Sequence, residues 1–291
     1  MPLLVDRHRP ASGLVPHGPP AETRRIPRKG ASMNAAGADP SGACGIAVMA
    51  KASMPGRTKT RLVPPLTFEE AAALNTVFLK DAFANIGEAS RSTPIVSFAA
   101  YGPAGEEPFF ENLTDAPLRL IPATYPNFGD CLLAGIDGIF SAGCSSACVL
   151  NADTPDLPSE YLVRTARELA GGRDRVVIGP TDDGGYYILG ISKAHRRLFA
   201  EIDWSTERVF AQTLERIAEL ELEVVTLPRW SDIDDAQSLL RFANRIDGVK
   251  TEFGARPFAA PHSREHLRNR FRDSDLAHRL APSAEFRVDA A

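Results

Sequence analysis

Four cations fall within eleven residues in Lys51-Ala-Ser-Met-Pro-Gly56-Arg57-Thr-Lys59-Thr-Arg61. Built round a Pro-Gly turn and set just before a helix, such a loop offers side-chain charge and backbone N–H groups together. That is the equipment for neutralising a di- or triphosphate. Lys51, Gly56, Arg57, Lys59 and Arg61 are therefore the phosphate-binding candidates, with Lys59 also a catalytic one. Lys59-Thr60 imitates the end of a P-loop, but Thr58 stands where that motif needs glycine, and no G-x-G-x-x-G fingerprint occurs here. A plain basic surface loop is the alternative, although solvation alone does not call for Pro and Gly.

Carboxylates supply the opposite charge. Asp153 follows the apolar run Ala147–Leu150, where an aspartate at the tip of a buried parallel strand can hold Mg2+ (or Mn2+) through one oxygen, phosphate and water completing the shell. Asp156 is expected to cap the helix entered at Pro158. Ser231-Asp232-Ile233-Asp234-Asp235 crowds like charges that repel unless a cation or a helix N-terminus sits among them. Asp235 reads as a helix cap. Asp232 and Asp234, expected on alternate sides of a short extended stretch, are candidates for a second metal contact.

A third constellation is Gly179-Pro-Thr-Asp-Asp183-Gly184-Gly185-Tyr186-Tyr187, with Trp204-Ser-Thr downstream. Asp-Gly-Gly makes a tight turn, but a turn alone does not explain the aromatics beside it. Gly184 and Gly185 let a ligand approach the backbone, Asp183 can accept sugar hydroxyls, and Tyr186 or Trp204 can supply an apolar floor. Five of the six histidines lie near the ends of the chain and His195 sits in a polar helix start, so histidine-based catalysis has little to work with. Asp183 is left as the general-base candidate for a hydroxyl acceptor.

The elements that must position these groups alternate between strand and helix patterns. Ile46–Ala50, Pro94–Ala100, Leu118–Ile121, Ala147–Leu150, Arg175–Ile178, Tyr186–Ile191 and Glu223–Leu227 read as strands. Helices are expected after the Thr67-Phe-Glu-Glu70 capping box, with Leu74, Phe78, Ala82 and Ile86 at helical spacing, and over Phe128–Phe140, Ser159–Ala170 and Asp235–Ile246. Another is capped by Ser205 and carries Phe210, Leu214, Ile217 and Leu220 inward. Such alternation calls for an α/β fold, a mostly parallel sheet with helices on both faces, whose ligands bind beyond the carboxyl ends of the strands.

The whole chain has 291 residues, 44% hydrophobic and 24% charged, with a net charge of −4. That apolar share excludes whole-chain disorder, and no apolar run reaches the length of a membrane span. A net acidic chain is a poor general binder of nucleic acid. Cys44, Cys131, Cys144 and Cys148 form no disulfide or zinc pattern and read as small buried residues of a reducing cytoplasm. Residues 1–43, rich in Pro, Gly, Ala and Arg, read as a flexible arm; 44–246 reads as the α/β domain; and 247–291 reads as a partly disordered tail with an Arg-rich patch from His262 to Arg279. Met33 is an alternative start to Met1.

Lys51-x-x-x-Pro-Gly-Arg-x-Lys-Thr-Arg-Leu, Asp153-x-Pro-Asp-Leu-Pro, Gly179-Pro-x-x-Asp-Gly-Gly-Tyr, Trp204-Ser-Thr and Asp232-Ile-Asp occur in one order. Over roughly residues 45–245 the chain thereby resembles the DUF2064 family, also called radical-SAM/selenodomain-associated transferase 1, some of whose members are labelled glycosyltransferases of arsenosugar biosynthesis. The resemblance implies a GT-A-like nucleotide-diphospho-sugar transferase fold. The Lys-Thr-Arg-Leu stretch is similar as well to guanylyltransferases of deazaflavin-cofactor synthesis. Two departures stand out: Gly129-Asp-Cys-Leu-Leu-Ala134 replaces the family's Gly-Asp-Leu-Gly-x-Arg, removing a basic contact, and Asn151 replaces a glycine before Asp153. Two chemistries fit a nucleotide and a small-molecule acceptor: glycosyl transfer releasing a nucleoside diphosphate, and nucleotidyl transfer to a phosphorylated acceptor releasing pyrophosphate. A non-catalytic nucleotide-binding module on the same fold is the third reading.

Overall fold

The computed structural model describes residues 39–246, 255–273 and 275–280. The expected N-terminal arm, up to residue 38, lies outside the described residues, as do 247–254 and 281–291 of the expected tail.

Strand β1 (Cys44–Lys51) is buried on both sides along most of its length. Cys44, Ile46, Val48 and Ala50 pack into one core, while Ala47 and Met49 pack into another. This two-sided apolar run is the mark of a central strand in a covered sheet. β1 pairs in parallel with β2 (Ile95–Gly102) and with β4 (Ser146–Leu150), and β2 pairs in parallel with β3 (Arg119–Pro122). β5 (Arg175–Pro180) and β6 (Tyr186–Ile191) form the antiparallel hairpin foreseen at the Asp-Gly-Gly turn, with β6 against β4 and β5 parallel to β7 (Glu223–Thr226). The order is β3-β2-β1-β4-β6-β5-β7, a mostly parallel α/β sheet with helices on both faces.

One face carries α1 (Phe68–Ser90) and α4 (Ser159–Leu169), through Leu79, Phe83, Ile86, Leu162 and Leu169. The other carries α3 (Phe128–Ser141) and α5 (Val209–Glu219), through Leu132, Ile136, Ile139 and Ile217. A short α2 (Glu107–Glu111) adds Phe110 to the first core. The Thr67 capping box forms as expected: the Thr67 hydroxyl accepts from Glu70 N at 3.2 Å, and Thr67 N donates to the Glu70 carboxylate at 2.8 Å.

The expected inward row of α1 divides. Ala82 and Ile86 face the sheet, whereas Leu74 and Phe78 join a separate core with α6 (Ala236–Ile246), α7 (Pro261–Asp273) and α8 (Leu276–Leu280). Residues four apart drift about 40° round a helix per step, so a row of them over a long helix turns from one neighbour to the next. The Arg-rich patch of the C-terminal segment consequently does not float: Ser263, Leu267, Leu276 and Leu280 are buried. Asp81, itself fully buried, accepts from His262 N and Ser263 N at 3.0 and 2.7 Å, capping α7. Glu70 pairs with Arg279 at 2.8 Å.

Two expected caps are not caps. α5 begins at Val209 with no side-chain cap, and Ser205 lies four residues upstream in a left-handed conformation (φ 65°). Asp156 does not cap α4; it is wholly buried beneath the site, as described below. Cys44, Cys144 and Cys148 are buried and all four cysteines are free. Among the described residues no helix is long and apolar enough to cross a membrane.

Candidate active site

The loops after β1 and β4, the β5–β6 turn and the segment after β7 converge at one end of the sheet, round a cleft of about 670 Å3. Lys51, Arg57, Lys59, Arg61, Asp153, Asp183, Gly185, Tyr186, Trp204, Asp232 and Asp234 all line it. Gly56 and Gly184 do not. Gly56 (φ 73°) shapes the cation loop, and Gly184 (φ 86°) is where the turn meets the next segment: a methyl group there would collide with the Glu207 carbonyl.

Lys59 is the most constrained cation. Its backbone is left-handed (φ 52°), and its side chain is only 4% exposed. The ammonium donates to Asp153 Oδ1 at 2.6 Å and to the Ile233 carbonyl at 2.8 Å, and it stands 4.7 Å from the centre of the Phe78 ring. One lysine thus ties the cation loop to both acidic loops. Arg61 pairs with Asp234 at 3.0 Å, but is 72% exposed and weakly held. Lys51 and Arg57 make no ion pair among the described residues and are exposed towards the cleft.

Beneath these groups lies a buried support. Asp156 accepts from Arg245 Nε at 2.8 Å and from Trp230 Nε1 at 3.1 Å, and Arg245 also donates to the Ser231 hydroxyl at 3.0 Å. With Ile233 N bonded to the Asp153 carbonyl at 2.9 Å, the two acidic loops form one rigid ledge. Asp232 and Asp234 were expected on opposite sides of their stretch, yet both face the cleft, while Ile233 between them is fully buried. In extended backbone, positions two apart share a side.

Asp183 is held by its own turn: Oδ1 accepts from the Thr181 hydroxyl at 2.5 Å and from Gly185 N at 3.0 Å. Burial, then the nearby carboxylates of Asp183, Asp234 and Asp153, push Asp232 up to about 7. Among the described residues no three His, Cys, Asp or Glu side chains group closely enough to cage a metal alone. The donor set instead fits a hard cation gripped by one or two carboxylates and completed by ligand phosphate and water. The crowding at Asp232 is the charge excess that such a cation relieves.

The opposite wall is aromatic. Phe128, at the start of α3, meets Trp204 edge to face, with ring centres 5.6 Å apart, and remains 47% exposed. Tyr186 lines the cleft by its ring, because its hydroxyl is buried and has no hydrogen-bond partner among the described residues. Sequence reasoning missed Phe128, Leu132, Asn75, Thr181 and Glu207 as lining residues. Asn75, whose amide holds the Lys51 carbonyl and the Ser53 hydroxyl at 3.1 and 2.8 Å, carried no motif. Two left a signal: Thr181 stands inside the Gly179–Tyr187 constellation, and Phe128 is an aromatic directly after the Asn127 helix cap.

The fold is shared with proteins of known structure. It matches a protein of Desulfovibrio desulfuricans G20, provisionally named a nucleotide-diphospho-sugar transferase, with 24% identity and a TM-score of 0.67, over 80% of this chain and 96% of that one. A family model described as "Uncharacterized protein conserved in bacteria (DUF2064)" matches residues 85–206, and the chain resembles that family. The match takes in Asp153, the Asp-Gly-Gly turn and Trp204, while the cation loop and the Asp232–Asp234 stretch lie outside it. Two further structures overlay loosely, each with a TM-score of 0.45. They are a CMP:2-keto-3-deoxy-manno-octonic acid synthetase complexed with CTP (8% identity, 69% of this chain and 96% of that) and a cytidylyltransferase from Leptospira borgpetersenii (10%, 84% and 99%). No curated protein matches the sequence.

Proposed function

We propose that the protein is a divalent-cation-dependent glycosyltransferase that takes a nucleotide-activated sugar and transfers the sugar to the hydroxyl of a small acceptor. One observation carries the reading: a buried lysine, 2.6 Å from Asp153, joins a cation-rich loop to a ledge of carboxylates inside a single cleft. Separated charges of this kind suit the two ends of a diphosphate complexed to a hard ion.

Lys51, Arg57 and Arg61 would neutralise the diphosphate, and Lys59, tethered to Asp153, would meet it at the boundary with the carboxylates. Asp153 and Asp232, with Asp234, would hold Mg2+ or Mn2+. The ion supplies Lewis-acid stabilisation of the charge that grows on the diphosphate as the bond breaks. In the transfer, the bond from the anomeric carbon to the phosphate oxygen breaks and a bond to the acceptor oxygen forms. The acceptor proton passes to the free oxygen of Asp183, and the nucleoside diphosphate departs with the bonding pair. Asp183 suits this step because Thr181 and Gly185 orient it through its other oxygen.

The density of cations in the 51–61 loop also favours a triphosphate, which keeps nucleotidyl transfer as the second reading. Incubating the protein with Mg2+ and nucleoside triphosphates or nucleotide sugars separates the two. Nucleoside diphosphate release from a nucleotide sugar is the expected result, pyrophosphate release from a triphosphate would favour the second reading, and binding without turnover would reduce the protein to a nucleotide-binding module.

A further inference from the structure

The cleft carries unlike charge on its two sides, and from this, resting on the donor reading above, we infer that the acceptor is an uncharged, hydroxyl-bearing ring rather than a phosphorylated molecule. It would be seated against the wall formed by Phe128 and Trp204.

Among the described residues, every lysine or arginine lining the cleft comes from the 51–61 loop, on the α1 side of the sheet. The side built from α3, the Asp-Gly-Gly turn and residues 204–209 presents Phe128, Leu132, Trp204, Ser205, Thr206 and Val209, and its charged members are Asp183 and Glu207. Arg208 does not line the cleft; it pairs with Asp203 at 3.0 Å. A phosphate or carboxylate on this side would lose water, gain no cation and face two carboxylates, which disfavours it strongly in a half-closed cleft. A ring with one apolar face and hydroxyls at its edge has the reverse needs: an aromatic surface to lie on, and acceptors such as Asp183 and Thr206 for its O–H groups.

The aromatic wall is built with little slack. Trp204 lies on the bare backbone of Gly129, where an added methyl would stand 2.7 Å from the indole Nε1. Gly129 is thus a positioning residue: it sets the indole without touching the cleft.

Saturation-transfer NMR on the full chain, with and without a bound nucleoside diphosphate and Mg2+, tests the assignment using methyl glucoside, p-nitrophenyl glucoside and glucose 6-phosphate as probes. The two neutral probes are expected to bind, and the phosphorylated one at least about tenfold more weakly. Gly129→Ala is expected to weaken the neutral probes roughly tenfold, the loss of about one aromatic contact, while nucleotide affinity measured by calorimetry stays unchanged. Should Gly129→Ala fold poorly, Trp204→Ala is expected to give the same split. Binding of glucose 6-phosphate as tight as that of the glucosides, binding of none of the three, or variants that weaken the nucleotide instead of the glucosides would overturn the inference. Absence of nucleotide binding by the wild-type chain would sink the donor reading separately, since the nucleotide-free arm still reports on the aromatic wall.

Discussion

The two walls of the cleft are assembled on different physical terms. The cationic wall is a loop held down by charge: Lys59 on Asp153 and Ile233, Arg61 on Asp234, and behind them the buried Asp156–Arg245 pair. The aromatic wall is held by shape, with Trp204 on Gly129, Phe128 on Trp204, and Gly184 against the Glu207 backbone. Electrostatic anchorage leaves a wall that a competing ion can rearrange, because on the proposed reading Arg61 would trade Asp234 for a phosphate when ligand arrives. Steric anchorage leaves a wall already shaped for its ligand. A nucleotide is therefore expected to move the first wall and leave the second in place.

The sharpest break between them is Asp153→Ala. It removes the carboxylate of the ledge that meets both Lys59 and the proposed ion, and turnover should fall roughly a thousandfold, as for loss of a principal electrostatic stabiliser. A retained circular-dichroism melt would locate the loss in chemistry rather than folding, and a near-wild-type rate would refute the assignment. Lys59→Ala comes next. Nucleotide affinity by calorimetry is expected to drop roughly ten- to hundredfold at low salt, the worth of one or two charged hydrogen bonds, with the gap narrowing as salt rises. Equal binding constants at low salt would mean that the loop is only surface.

The aromatic wall should answer to shape instead of salt. Gly184→Ala forces a side chain into a left-handed position and against the Glu207 carbonyl, and is expected to cost about 2–3 kcal/mol in denaturant unfolding. That cost should be indifferent to ionic strength. The smallest effect concerns the backing of the cationic wall. Arg279 holds the Glu70 carboxyl below its ordinary value, so the pair stabilises the fold above that ordinary value and the contribution disappears as pH falls through the lowered one. Glu70→Gln should lower Tm by about 2–4 °C at neutral pH, and the difference from wild type should vanish in acid; a difference that persisted there would assign it to packing.

Much of the site could be read from residue order, because strand tips and the loops that follow them are local features. The cation loop, Asp153, the Asp-Gly-Gly turn and the Asp232–Asp234 stretch announced themselves by charge crowding or by glycine. Other parts left no local mark. Asp156 looked like a helix cap, since a carboxylate before Pro-Ser fits that role; its ion pair is with Arg245, 89 positions further along the chain. Asn75 sits within a helix and reaches the site only because α1 crosses the end of β1. The C-terminal arginines read as part of a partly disordered tail because their helix offers few apolar residues of its own, and only the outer face of α1 reveals what Leu267 and Leu280 cover.

By itself, the sequence determined the alternation of strands and helices, the two-sided burial of the central strands, the hairpin at Asp183–Gly185, and the charge of each loop. These follow from periodicity, turn chemistry and composition, which act over a few neighbouring residues. Tertiary structure alone decided that Lys59 meets Asp153, that the shared side of Asp232 and Asp234 is turned into the cleft, and that cations and aromatics end on opposite sides of it. Such facts depend on which strand lies beside which and on how closely helices approach, and those are set by long-range packing that no short stretch of chain encodes.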